Sequence, residues 1–388
     1  MSNLGNLNAV EESYRNRFIR AKELTQQGQK FIGYFCSLVP AEMLTTAGLI
    51  PFRITGDVNE PITKADVHLE TIMCSFVRNA FDLGLKGRYE FLDGLVVPHA
   101  CDAIFRIYDI WRSCIPANYT HFINVPHMTA PSSFEFFEAE LKLFRHSLED
   151  YTGVEFTDDR LSQAIHLHNE HRQLMRHLYE LRKADPPLIS GSEMIKVQVA
   201  ARSLPMGESN KLVQTIIEEA QIRRPGPADH APRILLYGAE VDQPSFVELI
   251  EKSGAHVVVD ATCMGAGDYW HDVEVTPNPL AALAHRYLGK LACPRTCRPR
   301  SSPGHSKDLD SRFGYLGRLA TEFKANAAIV YVIRFCDTHE LDAPDVREYL
   351  ESTGLRVLDI EDEYHTQSRG RLHTRVQAFV EGLSDFVA

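Results

Sequence analysis

Short apolar runs alternate with stretches of helical spacing along this chain, and the alternation predicts its architecture. Residues 31–35 form an apolar run of strand length followed by a loop at 36–40. A helix is predicted over 41–47, with Pro40 near its start and Gly48 at its end, and a second strand over 49–54. The same unit returns after a stretch rich in Pro and Gly at 223–232: strand 233–237, loop 238–243, helix 245–252, strand 255–260. Residues 8–27 read as a surface helix. Residues 133–149, 160–183, 191–202 and 208–222 carry helical rather than strand patterning, with Thr157 placed to cap the second of them. These elements predict an α/β fold: two flavodoxin-like or Rossmann-like parallel-sheet domains, residues 1–132 and 232–388, with a helical region at 133–231 between them.

A second correspondence links the halves. The apolar run 92–97 leads to Cys101 and Asp102, with a helix predicted over 103–111, and the run 328–333 leads to Cys336 and Asp337, with a helix predicted over 343–351. Each half thus sets a Cys-Asp pair just past the carboxyl end of a parallel strand, the edge at which open α/β sheets bind ligands.

Charge and composition narrow the function. Acidic residues outnumber basic ones, 52 to 41, for a net charge of -11, which argues against a nucleic acid partner. Apolar runs such as 327–333 are far too short to cross a membrane. Polar and charged residues precede the first apolar run, so no secretory signal is expected and the cytoplasm is the expected location. In a reducing compartment the eight cysteines are expected as ligands, catalytic thiols or buried small side chains rather than disulfides.

The cysteine spacing leaves those options open. No CxxCxxC run is present, so only the fold can bring Cys74, Cys101 and Cys336 together as ligands of an iron-sulfur cluster. Cys36, also after a strand, is a fourth ligand or an unligated neighbour. Cys293 and Cys297 have zinc-like crowding but too few companions. No dinucleotide fingerprint and no phosphate loop occurs, so any ATP hydrolysis belongs to another subunit. Met264-Gly265-Ala266-Gly267 reads as a turn. Asp260, Asp268 and Asp272 are expected as solvated loop acids, and His166, His168, His171 and His177 as solvated helix histidines. Tyr108, His121 and His127 have proton-donor chemistry, with core roles favoured for each.

Several segments together resemble a known family. They are Gly33-Tyr34-Phe35-Cys36 with Val39-Pro40-Ala41-Glu42, Cys74-Ser75-Phe76-Val77-Arg78, Cys101-Asp102, Gly254-Ala255-His256-Val257-Val258, Arg334-Phe335-Cys336-Asp337, Leu358-Asp359-Ile360-Glu361 and Thr374-Arg375-Val376-Gln377-Ala378-Phe379. As a set, spread over almost the whole chain, they resemble the two-subunit catalytic components of 2-hydroxyacyl-CoA dehydratases and ATP-dependent benzoyl-CoA reductase. The resemblance implies a 4Fe-4S cluster held by Cys74, Cys101 and Cys336, a homologous cluster-bearing partner subunit and an acyl-CoA substrate. It also implies electrons from an ATP-hydrolysing iron-sulfur activator fed by ferredoxin or a similar low-potential donor. Segments such as Asn124-Val125-Pro126-His127 and Leu188-Ile189-Ser190-Gly191 favour the reductase branch, in which an aromatic thioester is reduced to a cyclic dienoyl-CoA. The alternatives are dehydration of a 2-hydroxyacyl-CoA through a ketyl radical, a non-catalytic electron-transfer subunit, or a related protein with a fused double cubane, for which Cys36 and Cys263 would be extra ligands.

Overall fold

The computed structural model describes residues 7–224, 228–298, 304–366 and 369–384, so residues 225–227 of the predicted Pro/Gly-rich stretch lie outside the described residues. Two four-stranded parallel sheets organise the chain. The first contains β1 (Phe31–Tyr34), β2 (Ile50–Arg53), β3 (Leu92–Pro98) and β4 (Tyr119–Ile123) in the order β2-β1-β3-β4. The second contains β5 (Arg233–Gly238), β6 (His256–Ala261), β7 (Ala327–Ile333) and β8 (Arg356–Asp362) in the order β6-β5-β7-β8. In both sheets the order in which strands are added therefore switches sides between the two central strands.

The central strands are covered on both faces and read as unbroken apolar runs, as parallel strands do. Every residue of β1, β5 and β7 is buried. The edge strands β4 and β8 are only partly buried and mix polar with apolar positions, which is why they escaped the pattern. Gly238 closes β5 where a Cβ would lie 1.9 Å from the Tyr331 carbonyl oxygen, so only glycine lets β5 and β7 stay paired there. A T-shaped aromatic contact, Phe52 to Phe91 at 4.9 Å between centroids, fills the first sheet's core.

The helices are α1 (Asn8–Gln26), α2 (Ala41–Thr46), α3 (Ser75–Leu85), α4 (Asp102–Cys114), α5 (Pro131–Thr152), α6 (Asp158–Glu180) and α7 (Gly191–Ala201). They continue with α8 (Met206–Gln221), α9 (Pro244–Lys252), α10 (Pro279–Ala284), α11 (His305–Glu322), α12 (Asp337–Ser352) and α13 (Arg369–Ser384). The helices between the sheets do not form a separate layer. α5 packs on β4, α6 on α2 and α8, and α7 on β6 and α9, so they clasp one sheet to the other. Thr157 caps α6 by accepting the Arg160 N–H, and Ser190 with Glu193 forms a full capping box on α7.

Two expectations are corrected here. His168 and His171 are buried rather than solvated: His168 meets Thr45 Oγ1 at 2.9 Å and His171 meets Asn210 Oδ1 at 3.1 Å. Desolvation holds them neutral, His168 down to about 4 and His171 to about 3. Two of the three acids, Asp260 and Asp268, are also inside, whereas Asp272 stays partly exposed. Asp260 pairs with Arg182 at 2.6 Å and accepts from Tyr179 and Gln198, while Asp268 is bracketed by Arg202 at 2.8 Å and Arg286 at 3.0 Å. Burial opposes ionisation of Asp268, but Arg286 and Arg202 outweigh it and hold the carboxyl far below its usual range. Asp272, on the same loop, pairs with Arg176 at 2.9 Å.

Candidate functional site

Chain reversal at β1/β3 and at β5/β7 opens a crevice at the carboxyl edge of each sheet. The two edges face one another. Arg53 at the end of β2 donates to Glu240 beyond β5 at 2.7 Å, with both side chains buried, and Gly56 N–H donates to Asp242 at 2.7 Å. Tyr364 also donates to Asp242, and Ser37 Oγ donates to the Cys263 carbonyl at 3.0 Å. The space between these loops holds most of the chain's thiols.

Cys74, Cys101 and Cys336 each occupy the N-cap position of a helix, α3, α4 and α12 respectively. The helix after Cys336 begins at Asp337, six residues earlier than predicted, despite Pro344 inside it. That difference turns Cys336 from a loop residue into a cap. Phe335, just before it, has φ 66°, an outlier for a bulky residue, and its N–H donates to Glu340 at 2.6 Å. Backbone strain of this kind persists where the surroundings fix it and gathers at functional sites. His339 Nδ1 lies 3.4 Å from Cys336 Sγ.

The thiols sense one another across the halves. A hydrogen bond with Cys74, followed by burial, pushes the Cys336 thiol well up, with His339 opposing. Burial and then Cys336 push up Cys101. Cys36, Cys263 and Cys293 line one cavity of about 40 Å³ with Tyr237 and His339. Burial drives Cys293 up to about 12, with Cys36 adding to it, and Cys263 is raised by burial, Glu240 and Cys336. A larger cavity of about 300 Å³ opens beside Cys293, bordered by Arg295, Cys297, Arg298, Tyr237 and Tyr315.

Cys36, Cys263 and Cys293 thus share one cavity, while Cys114 sits at the far end of α4 beside His68, 3.6 Å away, and Cys297 is exposed. Among the described residues no three His, Cys, Asp or Glu side chains converge as they would on a single metal ion. A cubane makes a different demand, because its thiolates bind separate iron atoms and need not converge on one point. The chemistry of the donors fits such a group. Helix N-termini favour thiolate, whereas burial of an uncoordinated thiol disfavours it, and coordination by iron removes the proton.

Sequence reasoning left Cys293 out of this group and Cys263 out of its main ligand set. Cys263 carried the same signal as Cys101, a position just past a strand; Cys293 carried only its crowding with Cys297. The proton-donor candidates lie elsewhere. His121 is on β4, 4.8 Å from Phe144 between ring centroids and lowered to about 4 by burial alone, and Tyr108 packs on Phe122 at 5.4 Å. His127 stands edge-on to His99 at 4.7 Å beside the loop that carries Arg295.

The chain is thus a doubled parallel α/β frame with thiols at helix starts in both halves. Residues 36–383 match the family model described as 2-hydroxyglutaryl-CoA dehydratase, D-component, and the chain belongs to that family. It is 24% identical to the (R)-phenyllactyl-CoA dehydratase beta subunit of Clostridium sporogenes, over 93% of this chain and 94% of that one. It is 27% identical to a benzoyl-CoA reductase subunit of Thauera aromatica, over 81% of each. It is 23% identical to the lactoyl-CoA dehydratase subunit beta of Anaerotignum propionicum, over 92% of this chain and 93% of that one. No helix among the described residues is long and apolar enough to cross a membrane.

Proposed function

We propose that this chain is a cluster-bearing subunit of an acyl-CoA reductase of the benzoyl-CoA type, corresponding to its C, or gamma, subunit. The observation that carries the reading is the placement of Cys74, Cys101 and Cys336 at three helix N-termini on two facing sheet edges. In this reading those thiols hold a 4Fe-4S cluster, which when bound supplies low-potential electrons for dearomatising the thioester to a cyclic dienoyl-CoA. The chain's own residues do the rest. α3, α4 and α12 orient the thiols, and the Arg53–Glu240 pair locks the sheet edges together. A homologous subunit supplies the other half of the substrate cleft, and ATP is hydrolysed by a separate iron-sulfur activator fed by ferredoxin or a similar donor.

Dehydration of a 2-hydroxyacyl-CoA uses the same frame, and the two dehydratase relatives span more of the chain than the reductase relative does. The deciding experiment is anaerobic turnover of the complex purified with its partner and activator, with benzoyl-CoA and a 2-hydroxyacyl-CoA supplied separately. ATP-coupled loss of benzoyl-CoA with diene formation is the expected result; dehydration alone moves the chain to the dehydratase branch. The cavity lined by Cys36, Cys263 and Cys293 favours one further reading, a fused double cubane. Iron well above one cubane per chain would support it.

A further inference from the structure

Three histidines are buried among the described residues, and two of them meet oxygen: His168 faces Thr45 Oγ1, and His171 faces Asn210 Oδ1 and Ser209 Oγ. The third is His339, 4% exposed. Among the described residues its ring makes one hydrogen-bond contact, with Cys336 Sγ at 3.4 Å. A buried polar ring needs a partner, and here the partner is a thiol.

The start of α12 builds this contact. Cys336 is the N-cap and His339 the third residue of the helix, positions whose side chains face each other across the first turn, as those of a capping box do. The Cys336 carbonyl accepts from the N–H groups of His339 at 3.1 Å and Glu340 at 2.9 Å, and the Glu340 carboxylate accepts the Phe335 N–H at 2.6 Å, so the turn is fixed on both sides of the thiol. Cys336 Sγ makes no capping bond to its own helix, and Thr338 Oγ1 stands further off than the imidazole, at 4.0 Å. The corresponding third residues of α3 and α4 are Val77 and Ile104, whose side chains carry no polar atom, so Cys74 and Cys101 lack this neighbour. The His339 ring also lines the 40 Å³ cavity with Cys36, Cys263 and Cys293, 5.7 Å from Tyr237 between centroids. A cysteine beside a histidine is not by itself a site: Cys114 and His68 make such a contact at 3.6 Å, but His68 is exposed and water can replace either partner.

We infer that His339 is a positioning residue for Cys336, donating its Nδ1–H to the sulfur when that sulfur binds iron and raising the reduction potential of the group held there. The inference rests on the cluster reading above. A free thiol can donate to imidazole or accept from it, whereas a thiolate on iron only accepts, so the nitrogen facing it carries the hydrogen. Reduction adds negative charge to the cluster and its sulfurs, and an N–H aimed at one of them stabilises the reduced form.

The test is a spectroscopic redox titration of the iron-loaded complex, with iron per chain measured alongside, for wild type, His339→Leu and His339→Gln. Leucine removes the donor, while glutamine keeps an N–H; the partner subunit, unchanged in every sample, supplies the reference signal. Absence of iron from reconstituted wild type overturns the cluster reading, and the inference falls with it. With iron present, the variants test the inference alone. The expected result is a lower potential in His339→Leu, with a potential nearer wild type in His339→Gln. A wild-type potential in His339→Leu, or an equal fall in both variants, overturns the inference, since the first denies any bond to sulfur and the second reports only disturbed packing. If His339→Leu holds no iron, retention in His339→Gln supports the donor role and loss in both overturns it.

Discussion

In both halves one of the two central strands, β3 or β7, is followed by a Cys-Asp pair that starts a helix, whereas the other, β1 or β5, ends differently. β1 is followed by Cys36; β5 is followed by Glu240 and Asp242. The first half answers those carboxylates with Arg53 and with the Gly56 N–H, and Ser37 and Gln243 add bonds to the Cys263 and Gly56 carbonyls between the same edges. The difference teaches that the repeated frame is loaded asymmetrically. Each half brings three thiols, Cys36, Cys74 and Cys101 from the first and Cys263, Cys293 and Cys336 from the second, but only the second brings the carboxylates, Glu240 and Asp242, that fasten the lobes.

The largest expected effect lies in the feature the halves share. Cys101→Ala or Cys336→Ala should lose most of the bound iron, whereas Cys114→Ala, whose thiol lies beside His68 away from the others, should keep it; iron per chain in the purified proteins decides. Equal retention in all three would break the correspondence between the two Cys-Asp pairs.

Next comes the contact between unlike edges. Arg53→Met leaves Glu240 buried and unpaired and should cost about 3–5 kcal/mol, measured by urea unfolding. Adding Glu240→Leu to it should recover much of the loss, because the second substitution removes the stranded charge.

A pH series sharpens the comparison further. Burial, then Glu240, raises the Asp242 carboxyl from 3.8 to about 6. Between those values the folded chain binds the extra proton, so this group makes stability fall as pH rises through that window and level off above it. Asp242→Asn should flatten that slope, a change on the order of 3 kcal/mol across the window. His168 and His171 act with the opposite sign. Their folded values are depressed from 6.5, so the stability they contribute is present above 6.5 and lost as pH falls toward 4. Unfolding free energy of wild type and Asp242→Asn across this range separates the two contributions.

The smallest effect belongs to the clasping helices. Ser190→Ala removes the cap that accepts the Glu193 N–H at 3.1 Å and should cost about 1 kcal/mol in thermal or urea unfolding, with iron content unchanged. A loss of iron there would tie α7 to the thiol space more directly than its packing on β6 and α9 implies.

Local patterning along the sequence determined the alternating α/β architecture, the central strands β1, β3, β5 and β7, the helices α5 to α8 with the Thr157 cap, and the repeated Cys-Asp pair at two strand ends. These are local properties: a buried parallel strand must be apolar throughout, and a helix start is written in its own first turn. The edge strands β4 and β8 were obscured because half-buried positions tolerate polar residues. Tertiary structure alone decided that Asp260 and Asp268 are buried, since their partners Arg182, Arg202 and Arg286 lie far off in sequence, and that His168 and His171 are enclosed. It also decided which thiols meet. Cys293 and Cys263 reach the cavity beside Cys36 only because two sheets built from distant segments face each other, and such a meeting leaves no periodic trace in the chain.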